Sequence, residues 1–462
     1  VRYVITTGNE SDVQVADAIL MCANDPETKV IMAYSEGIKN GDRLIEALEA
    51  AAAAEKPVVF MKVGRSEVGA LAATSHTASL TGEDAVIDAI FRQYGVHRAV
   101  TTEDLVDIAY AAIKGRKPTG RRLGLVTISG GVGVLMADAA EDCGLDVAPM
   151  PAKAQASLTD LIPFAAPRNP VDVTAQILNE LDKLPQFFST LIVEGKYDTV
   201  LAFFTSGAST KTSAAKFLAA IQQMRQEHPE QFIVLSLLAN EDEVKSYEEL
   251  GFPVFPDASR AVAAIAAVIR FVEAHDRLAS REQLTLPDAR GLPEGPLSEA
   301  GAKKILQQAG LPVLAETLAT SAQEAARAAG DKPVAMKIVS PDVLHKTEIG
   351  GVLLNVTGAD DVAAAYTTLE GRLRTHHPDA QFDGILVSPM IEGGVEIIMG
   401  TSQDPVFGPI VMVGLGGVLV EVLKDVSFRK APFDIADAHM MINELRGSAI
   451  LDGVRGAAPA DR

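Results

Sequence analysis

The sequence predicts an α/β protein with two doubly wound parallel-sheet domains followed by an α+β domain. Short β-branched runs alternate with alanine-rich helical stretches through residues 1–280, which is the pattern of βαβ units. Beyond residue 298, strands separated by tight glycine turns follow one another with fewer helices between them, which favours an antiparallel sheet. A chain of 462 residues is long enough for about three domains.

The two parallel-sheet domains are predicted at residues 1–117 and 118–280. The first contains the strands KVIMAY and KPVVFMKVG, with the helix DRLIEALEAAAAAE between them. The charged connection KGRKPTGRR separates it from the second, whose strands are LGLVTI, DTVLAFFTSG and QFIVLSLLAN. The apolar stretch AVAAIAAVIRFV, which contains Arg270, is too short to span a bilayer and predicts a buried helix.

A linker is predicted at residues 281–297 and the α+β domain at 298–462. The linker carries three prolines and shows no helical periodicity. Ser298 is a candidate N-cap for the first helix beyond it. The strands of the last domain include PVAMKIVSP, GGVLLNV and GPIVMVGL, and glycine turns separate them.

The charge balance limits the partners of the protein. The formal net charge is −20 and no cluster of basic residues offsets it, which argues against binding to nucleic acid or to an anionic membrane surface. An anionic substrate must therefore be held by local groups. Cys22 and Cys143 are the two cysteines, and they fit buried thiols in a reducing cytoplasm better than a disulfide.

Three candidate functional loops follow predicted strands, where open parallel sheets bind their ligands. Glu36 comes directly after KVIMAY, and His76 lies among small and hydroxyl residues after KPVVFMKVG. In such surroundings His76 could act as a nucleophile that carries phosphate, with Glu36 orienting its ring. The alternatives are a surface-loop histidine without a task and a solvated loop acid.

The third loop is SGGVG at residues 129–133. Gly130, Gly131 and Gly133 allow backbone N–H groups to face an anion, and the helix that follows offers its positive end to a phosphate. The spacing matches neither G-x-G-x-x-G nor a P-loop, so a tight strand-to-helix turn remains the alternative.

The last domain offers candidate phosphate-binding residues. Lys337 interrupts the apolar strand PVAMKIVSP, and a lysine on a sheet can bind a nucleotide phosphate as a point charge. The stretch LHKTEIGGV then places His345 and Glu348 before Gly350 and Gly351, which favours a mobile loop over the phosphates. A lysine on an exposed sheet face and an ordinary β-turn are the alternatives.

Five long stretches, in family order along essentially the whole chain, carry a resemblance to a known family. They are KVGRSEVGALAATSHTASLTGED, TISGGVGVLMADAAEDCGLDV, NPVDVT, AMKIVSPDVLHKTEIGGV and QDPVFGPIVMVGLGGVLVEVLKDVSFRKAPF. They resemble the ADP-forming acyl-CoA synthetases, the acetate–CoA ligase family related to succinyl-CoA synthetase. The resemblance implies two flavodoxin-like domains followed by an ATP-grasp domain.

The same resemblance implies an activity. Members convert a carboxylic acid, CoA and ATP into acyl-CoA, ADP and phosphate through a phosphohistidine and an acyl phosphate, so ATP or ADP, Mg²⁺ and CoA are the implied ligands. Fused members commonly form homodimers. A different hypothesis is the ligand-sensing, synthetase-like region of a protein acetyltransferase, and the presence of His76 and Glu36 argues against it.

Residue roles follow from the resemblance position by position. The phosphorylated histidine falls on His76, its supporting glutamate on Glu36, and the histidine of a second phosphate relay on His345. The phosphate-binding helix N-terminus falls on Ser129, Gly130, Gly131 and Gly133. The nucleotide-binding positions fall on Lys337, Glu348, Gly350, Gly351, Val387, Met390 and Glu396.

Departures from the family pattern define further expectations. Ala78 stands where the family usually has a glycine after the histidine motif, which would stiffen that loop. The family's N-terminal CoA-binding domain and its terminal acidic segment, which includes Mg²⁺ ligands, have no counterpart in the 462 residues. We therefore expect this segment to be incomplete for catalysis, and the metal ligands stay unknown.

Overall fold

The computed structural model of the chain describes residues 1–66, 84–207, 210, 212–282, 284–285, 293, 297, 299–343, 346–391, 393–416, 425–454, 456 and 458–462. The chain forms two compact units. The first unit comprises residues 1–283 together with 396–462, and the second unit comprises residues 284–395.

The first sheet of the first unit is parallel. Its strands are β1 (Ile31–Ser35), β2 (Val58–Lys62) and β3 (His97–Arg98), which pair in that order. The accompanying helices are α1 (Val15–Asn24), α2 (Gly41–Ala53), α3 (Asp84–Gln93) and α4 (Thr102–Lys114). Two of these helices begin at side-chain caps, since Asn40 and Thr101 each accept a backbone N–H at 3.0 Å.

The second sheet of the first unit is also parallel. Its strands are β4 (Leu123–Thr127), β5 (Val171–Asp172), β6 (Thr199–Thr205), β7 (Phe232–Leu237) and β8 (Val254–Phe255). The helices between them are α5 (Gly130–Asp142), α6 (Ala152–Leu161), α7 (Leu184–Ser189), α8 (Ala214–Glu227) and α9 (Glu241–Glu249). Short 3₁₀ helices cover Ala175–Asn179 and Leu181–Lys183, and a π-helical turn covers Thr190–Glu194.

The strand order of this sheet is β5-β4-β6-β7-β8. Strands β4 and β7 are buried along their whole length, as expected for parallel strands covered by helices on both faces. The long helix α10 (Ala258–Ala279) follows β8 and is capped by Asp257, whose carboxylate accepts the Arg260 N–H at 2.9 Å. It packs against α2 and α4, which accompany the first parallel sheet, and against α5, which accompanies the second. The buried helix predicted around Arg270 is thereby confirmed.

The second unit is built on a four-stranded antiparallel sheet. Its elements are α11 (Glu299–Gln308), β9 (Thr317–Ala319), α12 (Ala322–Ala329), β10 (Val334–Val339), β11 (Val352–Val356), α13 (Ala359–His376) and β12 (Gly384–Pro389). The strand order is β11-β10-β12-β9. Helices α12 and α13 cover the sheet and close an apolar core around Met336, Ile338 and Leu369.

The C-terminal segment returns to the first unit. It forms the antiparallel sheet β13 (Ile397–Asp404), β14 (Gly408–Leu415) and β15 (Val426–Lys430), then α14 (Ile435–Asn443) and a 3₁₀ helix at Ser448–Asp452. Phe407 and Ile410 enter the apolar core that surrounds Phe60 and Phe91.

Buried polar contacts fix this segment to the first parallel sheet and its helices. The amide of Gln93, at the end of α3, donates to the Lys430 carbonyl at 3.0 Å and accepts the Lys430 N–H at 2.9 Å. Arg277 of α10 pairs with the buried carboxylate of Asp437 at 3.0 Å. Residues 396–462 and 1–283 therefore form one body.

The predicted fold class is confirmed: parallel sheets make up residues 1–280, and antiparallel sheets follow. The predicted boundaries at 117, 280 and 297 stay a prediction, because compact units and family domains are different divisions of a chain. Within the part of the chain that the structure describes, no helix is both long and apolar enough to cross a membrane.

Candidate functional site

The glycine loop lies at the topological switch point of the second parallel sheet. Strand β4 is the first of this sheet in the chain, and β5 and β6 flank it on opposite sides. Crossovers leaving in opposite directions open a crevice at the carboxyl end of such a strand, which is where open α/β sheets bind ligands. Residues 128 and 129 follow β4 at this point. The sequence predicts a loop at 129–133 with the helix after it, but α5 begins at Gly130, so the three glycines lie in its first turn.

The local geometry presents the start of α5 to solvent. Ser129 is the N-cap in extended conformation, and its side chain makes no capping hydrogen bond. Thr127 shapes the turn, since its hydroxyl accepts the Ser129 N–H at 2.9 Å and donates to the Ser129 carbonyl at 2.8 Å. Gly130 and Gly131 are exposed. The first N–H groups of a helix lack intrahelical acceptors, so this end can receive an anion.

The three glycines of the loop differ in what surrounds them. A Cβ at Gly131 would meet nothing within 4 Å, whereas a Cβ at Gly133 would lie 3.1 Å from the Thr127 methyl group and 3.4 Å from the Pro170 Cβ. Gly133 therefore allows the close approach of α5 to β4. A Cβ at Gly130 would lie 3.3 Å from the Asp172 carboxylate, which places that acid beside the start of the helix.

Asp172 lies beside the start of α5 but is not among the candidate site residues predicted from the sequence. Its Oδ1 accepts the Thr174 N–H at 2.8 Å, and it lies in the NPVDVT stretch. The signal in the sequence was an acid at the end of a short strand, which is common in loops and therefore weak.

Asn169 anchors the same stretch to β4. Strand β5 pairs only with Val126 and Thr127, so the earlier part of β4 has no strand on that side. The Asn169 side chain makes the hydrogen bonds that a neighbouring strand would make there: it accepts the Leu125 N–H at 2.9 Å and donates to the Leu123 carbonyl at 2.9 Å. It also donates to the Ala148 carbonyl at 3.3 Å. The asparagine thereby holds the chain that carries Asp172.

Glu36 lies directly after β1, as predicted. It is partly buried, and its Oε2 is enclosed without a hydrogen-bond partner among the residues that the structure describes. It also lines a cavity of about 810 Å³ that residues 1–10, α1 and β1 enclose. His76 lies outside the described residues, so its contact with Glu36 stays a prediction.

Lys62 is a second charged residue at this end of the first sheet. It pairs in register with Ser35, the residue before Glu36, and its ammonium donates to the Val63 carbonyl at 2.6 Å. Only 1% of Lys62 is exposed. Burial lowers the pKa of Lys62, the charge of Arg98 acts in the same direction, and Asp84 and Glu36 oppose both. Sequence reasoning missed Lys62 because it stands inside an apolar strand.

Three lysines of the second unit converge on one glutamate. The Glu299 carboxylate lies 3.6 Å from the ammonium of Lys337, 3.0 Å from that of Lys346 and 2.9 Å from that of Lys303. We call these four residues, together with Glu316, the lysine group. Glu316 contacts Lys303 at 2.6 Å and accepts a hydrogen bond from Ser388.

The charges of the lysine group shift the pKa of Glu299. Burial alone would raise it, but hydrogen bonds from Lys303 and Lys346 and the charges of Lys337 and Lys346 outweigh burial and lower the pKa to about 2. Glu299 is therefore ionised, and the group of three lysines and two glutamates keeps one net positive charge. Such a group favours binding of a phosphate.

Residues 346–351, the described part of the predicted glycine-pair loop, form a turn that leads into β11. The Gly351 N–H donates to the Lys346 carbonyl at 2.7 Å, and Gly350 adopts a left-handed φ of +63°. Glu348 is exposed on this turn. Closing the turn in this way directs Lys346 toward Glu299. His345 lies outside the described residues, so its role stays a prediction.

The remaining predicted nucleotide-binding residues differ in their placement. Val387 lies in β12 with its side chain in the core of the second unit. Met390 follows β12, and its N–H donates to the Pro333 carbonyl at 3.0 Å. Glu396 is exposed and belongs to the first unit, where its carbonyl accepts the Gly416 N–H at 2.6 Å.

A metal site is not evident in the described part of either unit. No group of three or more His, Cys, Asp or Glu side chains is placed there to hold an ion. Cys22 and Cys143 are both free thiols. Burial raises the pKa of each thiol, which makes both poor nucleophiles near neutral pH.

Comparison with family models matches three regions of the chain. Residues 1–112 match the succinyl-CoA ligase like flavodoxin domain, residues 123–278 match the Ligase-CoA domain, and residues 289–462 match an ATP-grasp domain. The three matches follow one another along the chain and correspond to the predicted flavodoxin-like and ATP-grasp architecture.

Two curated relatives match nearly the whole chain. An ADP-forming acetate–CoA ligase of Archaeoglobus fulgidus is 35% identical over 474 residues, which cover 99% of this chain and 67% of the relative. An ADP-forming 4-hydroxybutyrate–CoA ligase of Nitrosopumilus maritimus is 30% identical over 474 residues, with the same coverage. The chain thus spans about two thirds of the length of these relatives.

One solved structure extends the comparison to three dimensions. The dinucleotide-forming acetyl-coenzyme A synthetase 1 of Ca. Korarchaeum cryptofilum, in complex with phosphate and ADP, matches with a TM-score of 0.52 and 26% identity. The match covers 60% of this chain and 60% of that chain.

Proposed function

The chain belongs to the family of ADP-forming acetate–CoA ligases. From this premise we propose that it acts as an acyl-CoA synthetase, in which a carboxylic acid, CoA and ATP give acyl-CoA, ADP and phosphate. Similarity along 99% of the chain to a ligase of this type supports the proposal. The relatives named above are ligases and a synthetase, so they lend no support to a ligand-sensing region of an acetyltransferase.

The observation that carries the proposal is that two features suited to binding phosphate, a solvent-facing helix start and a group of lysines, occur on separate compact units. The start of α5, at Ser129 to Gly133, belongs to the first unit, and Lys337 with the lysine group belongs to the second. A reaction divided between two such features needs a group that carries phosphate from one to the other. His76, on a loop of small residues, is the carrier that we propose.

The proposed chemistry has three transfers. A ring nitrogen of His76 bonds the γ-phosphorus of ATP while the bond to the bridging oxygen breaks, and ADP leaves. A carboxylate oxygen of the acid then takes the phosphoryl group from the histidine and forms an acyl phosphate. The sulfur of CoA, having lost its proton, attacks the acyl carbon, and inorganic phosphate leaves with the electrons of the C–O bond.

The described residues have distinct proposed roles in these steps. Glu36, whose enclosed Oε2 has no hydrogen-bond partner among the described residues, accepts a hydrogen bond from the imidazole of His76 and leaves the other ring nitrogen free to attack. The N–H groups at the start of α5 compensate the phosphate charge during transfer to the acid. With a relay at His345, a fourth transfer is added: His345 takes the γ-phosphoryl group from ATP, and His76 then takes it from His345.

The nucleotide is proposed to bind on the second unit. Lys337 and Lys346 contact its phosphates, and the turn at Gly350 and Gly351 sets the position of Lys346. Glu348, Val387 and Met390 complete the predicted nucleotide set on this unit, and the Val387 side chain supports β12 from the core. Glu396, the remaining predicted position, belongs to the first unit, and its role stays a prediction. Mg²⁺ normally reaches such sites bound to phosphate oxygens and one or two carboxylates, and we assign it no ligand in this chain.

The remaining proposals concern organisation and partners. We propose domains at 1–117, 118–280 and 298–462 with a linker at 281–297, a homodimer, and a cytoplasmic location. The net charge of −20 supports small-molecule ligands over nucleic acid or an anionic membrane surface.

Phosphohistidine formation provides the direct test. The protein is incubated with Mg²⁺ and ATP carrying radioactive phosphorus at the γ position. We expect label on the protein that is stable to base and lost in acid. His76→Ala should abolish the label. The control is His376→Ala, at an exposed histidine at the end of α13, which should retain the label. Label that survives His76→Ala would overturn the proposed carrier.

A further inference from the structure

Glu299 uses both of its carboxylate oxygens on lysines of the lysine group. Oε1 lies 2.9 Å from Lys303 and 3.6 Å from Lys337, and Oε2 lies 3.0 Å from Lys346. No other carboxylate of the described residues forms an ion pair with Lys337 or Lys346. A single acid therefore occupies the two ammonium groups that are proposed to bind nucleotide phosphate.

Lys303 has a partner of its own. Its ammonium lies 2.6 Å from Glu316, whose side chain is only 7% exposed and accepts a hydrogen bond from Ser388 through its other oxygen. This pair is electrically neutral without Glu299. Removing the negative charge of Glu299 would therefore leave the charges of Lys337 and Lys346 available to another anion.

A carboxylate and a phosphate accept the same charge-assisted hydrogen bonds from an ammonium group, so they compete for it. We propose that Glu299 is a positioning residue that stands in for phosphate: it holds Lys337 and Lys346 when nucleotide is absent and is displaced when nucleotide binds. This inference rests on the proposed function, which assigns the two lysines to nucleotide phosphate.

The position of Glu299 in the fold suits displacement. It is the first residue of α11, and 30% of its side chain is exposed. Helix ends rearrange more readily than helix interiors, so Glu299 can leave the lysines without disturbing the sheet that carries Lys337. Glu316, being nearly buried, is not placed to do the same.

A purely structural role for Glu299 predicts the opposite result. If the carboxylate only keeps the two ammonium groups in place for nucleotide, neutralising it would scatter them and weaken binding. If it competes with phosphate, neutralising it would strengthen binding. The sign of the change in affinity therefore separates the two roles.

The experiment measures ADP binding by calorimetry at fixed Mg²⁺ for the wild-type chain, Glu299→Gln and the control Glu370→Gln. Glu370 lies on α13 of the same unit, outside the lysine group. We expect Glu299→Gln to bind ADP about two- to thirtyfold more tightly, the range for loss of two partly exposed ion pairs. Glu370→Gln should match wild type. Unchanged or weaker binding in Glu299→Gln would overturn the inference.

A second ligand separates competition from a general change in shape. Inorganic tripolyphosphate should show the same tightening as ADP in Glu299→Gln, and adenosine, which has no phosphate, should show none. Tightening that extends to adenosine would count against competition. If Glu299→Gln fails to fold, Glu299→Asp keeps the charge but shortens its reach, and a smaller tightening is expected.

Failure of the inference can be distinguished from failure of the proposed function. If Lys337→Ala binds ADP as tightly as wild type, the assignment of the lysines to nucleotide phosphate is wrong and the inference falls with it. If Lys337→Ala loses ADP binding while Glu299→Gln does not gain it, only the inference is wrong.

Discussion

Replacement of Asn169 tests how the loop beside the start of α5 is held. Its side chain is 5% exposed and pairs with the Leu125 N–H and the Leu123 carbonyl, two backbone groups of β4 that no strand reaches. In Asn169→Ala both groups are left buried and unpaired. The Ala148 carbonyl keeps a partner, because the Tyr197 hydroxyl donates to it at 2.8 Å.

The expected loss follows from two unpaired groups. Each buried, unsatisfied backbone group costs about 1–3 kcal/mol, so Asn169→Ala should destabilise the protein by about 2–6 kcal/mol. The first unit holds residues 1–283 and 396–462, and at an unfolding entropy of about 2.1 cal/mol/K per residue this loss lowers its melting temperature by about 3–8 °C. Asn169→Asp should be worse, because it keeps the acceptor for Leu125 but turns a carboxylate oxygen toward the Leu123 carbonyl.

Calorimetric melting and hydrogen exchange together check this expectation. The Leu125 amide should exchange faster in Asn169→Ala than in wild type, and the melting temperature should fall. The control is Asn179→Ala, at an exposed asparagine of a nearby 3₁₀ helix, which should melt as wild type does. If Asn169→Ala and Asn179→Ala have the same melting temperature, the Asn169 side chain does not substitute for a missing strand and our account of β4 is wrong.

Three further predictions concern other parts of the molecule. Gln93→Ala leaves the Lys430 N–H and carbonyl without their partners at 2.9 and 3.0 Å, so we expect a loss of about 2–4 kcal/mol and faster amide exchange in β15, measured by mass spectrometry. The pKa of Glu299 falls from its ordinary 4.5 to about 2 in the folded protein, so its ion pairs stabilise the second unit above about pH 5 and lose this effect as pH falls toward 2. The free energies of unfolding of wild type and Glu299→Gln, measured with denaturant, should accordingly differ at pH 7 and converge near pH 2. Equal free energies of unfolding at pH 7 would contradict this prediction. Gly133→Val should destabilise the first unit by about 1–3 kcal/mol, because its Cβ would lie 3.1 Å from the nearest methyl group. The control is Gly131→Ala, whose Cβ would meet nothing within 4 Å. In urea unfolding, the midpoint of Gly133→Val should fall and that of Gly131→Ala should equal the wild-type midpoint.

Much of the fold could be predicted because its signals are local. The runs before Glu36 and Ser129 are β-branched and apolar, and they form β1 and β4 with those residues at their carboxyl ends. The helix predicted after the SGGVG loop is present, although it begins within that loop, at Gly130. Periodicity and turn chemistry act over a few residues, which is why they are readable in one sequence.

The contacts around the candidate sites could not be predicted in the same way. Glu299 and Lys346 are 47 residues apart in the chain and meet only because α11 and the turn after β10 fold toward each other. Asp172 and Lys62 lie in stretches that carry the family resemblance, but no spacing rule singles them out, and the helix start near Asp172 and the glutamate near Lys62 come into view only in the structure. Side-chain pairing across such separations depends on tertiary structure.

The grouping of residues 396–462 with the first unit was also beyond sequence reasoning. The chain continues through EGGVEIIMG without a change in composition, although the compact unit changes at residue 396. What fixes the segment is a set of distant partners, such as Gln93 with Lys430 and Arg277 with Asp437.

The second unit is consequently an insertion, since the chain leaves one body at residue 283 and re-enters the same body at 396. Evolution or protein engineering could replace residues 284–395 by rejoining the chain at two points, with no change in the sequence of the first unit. Deleting 284–395 and bridging the ends with a glycine–serine tether should leave a host that folds with all three of its sheets.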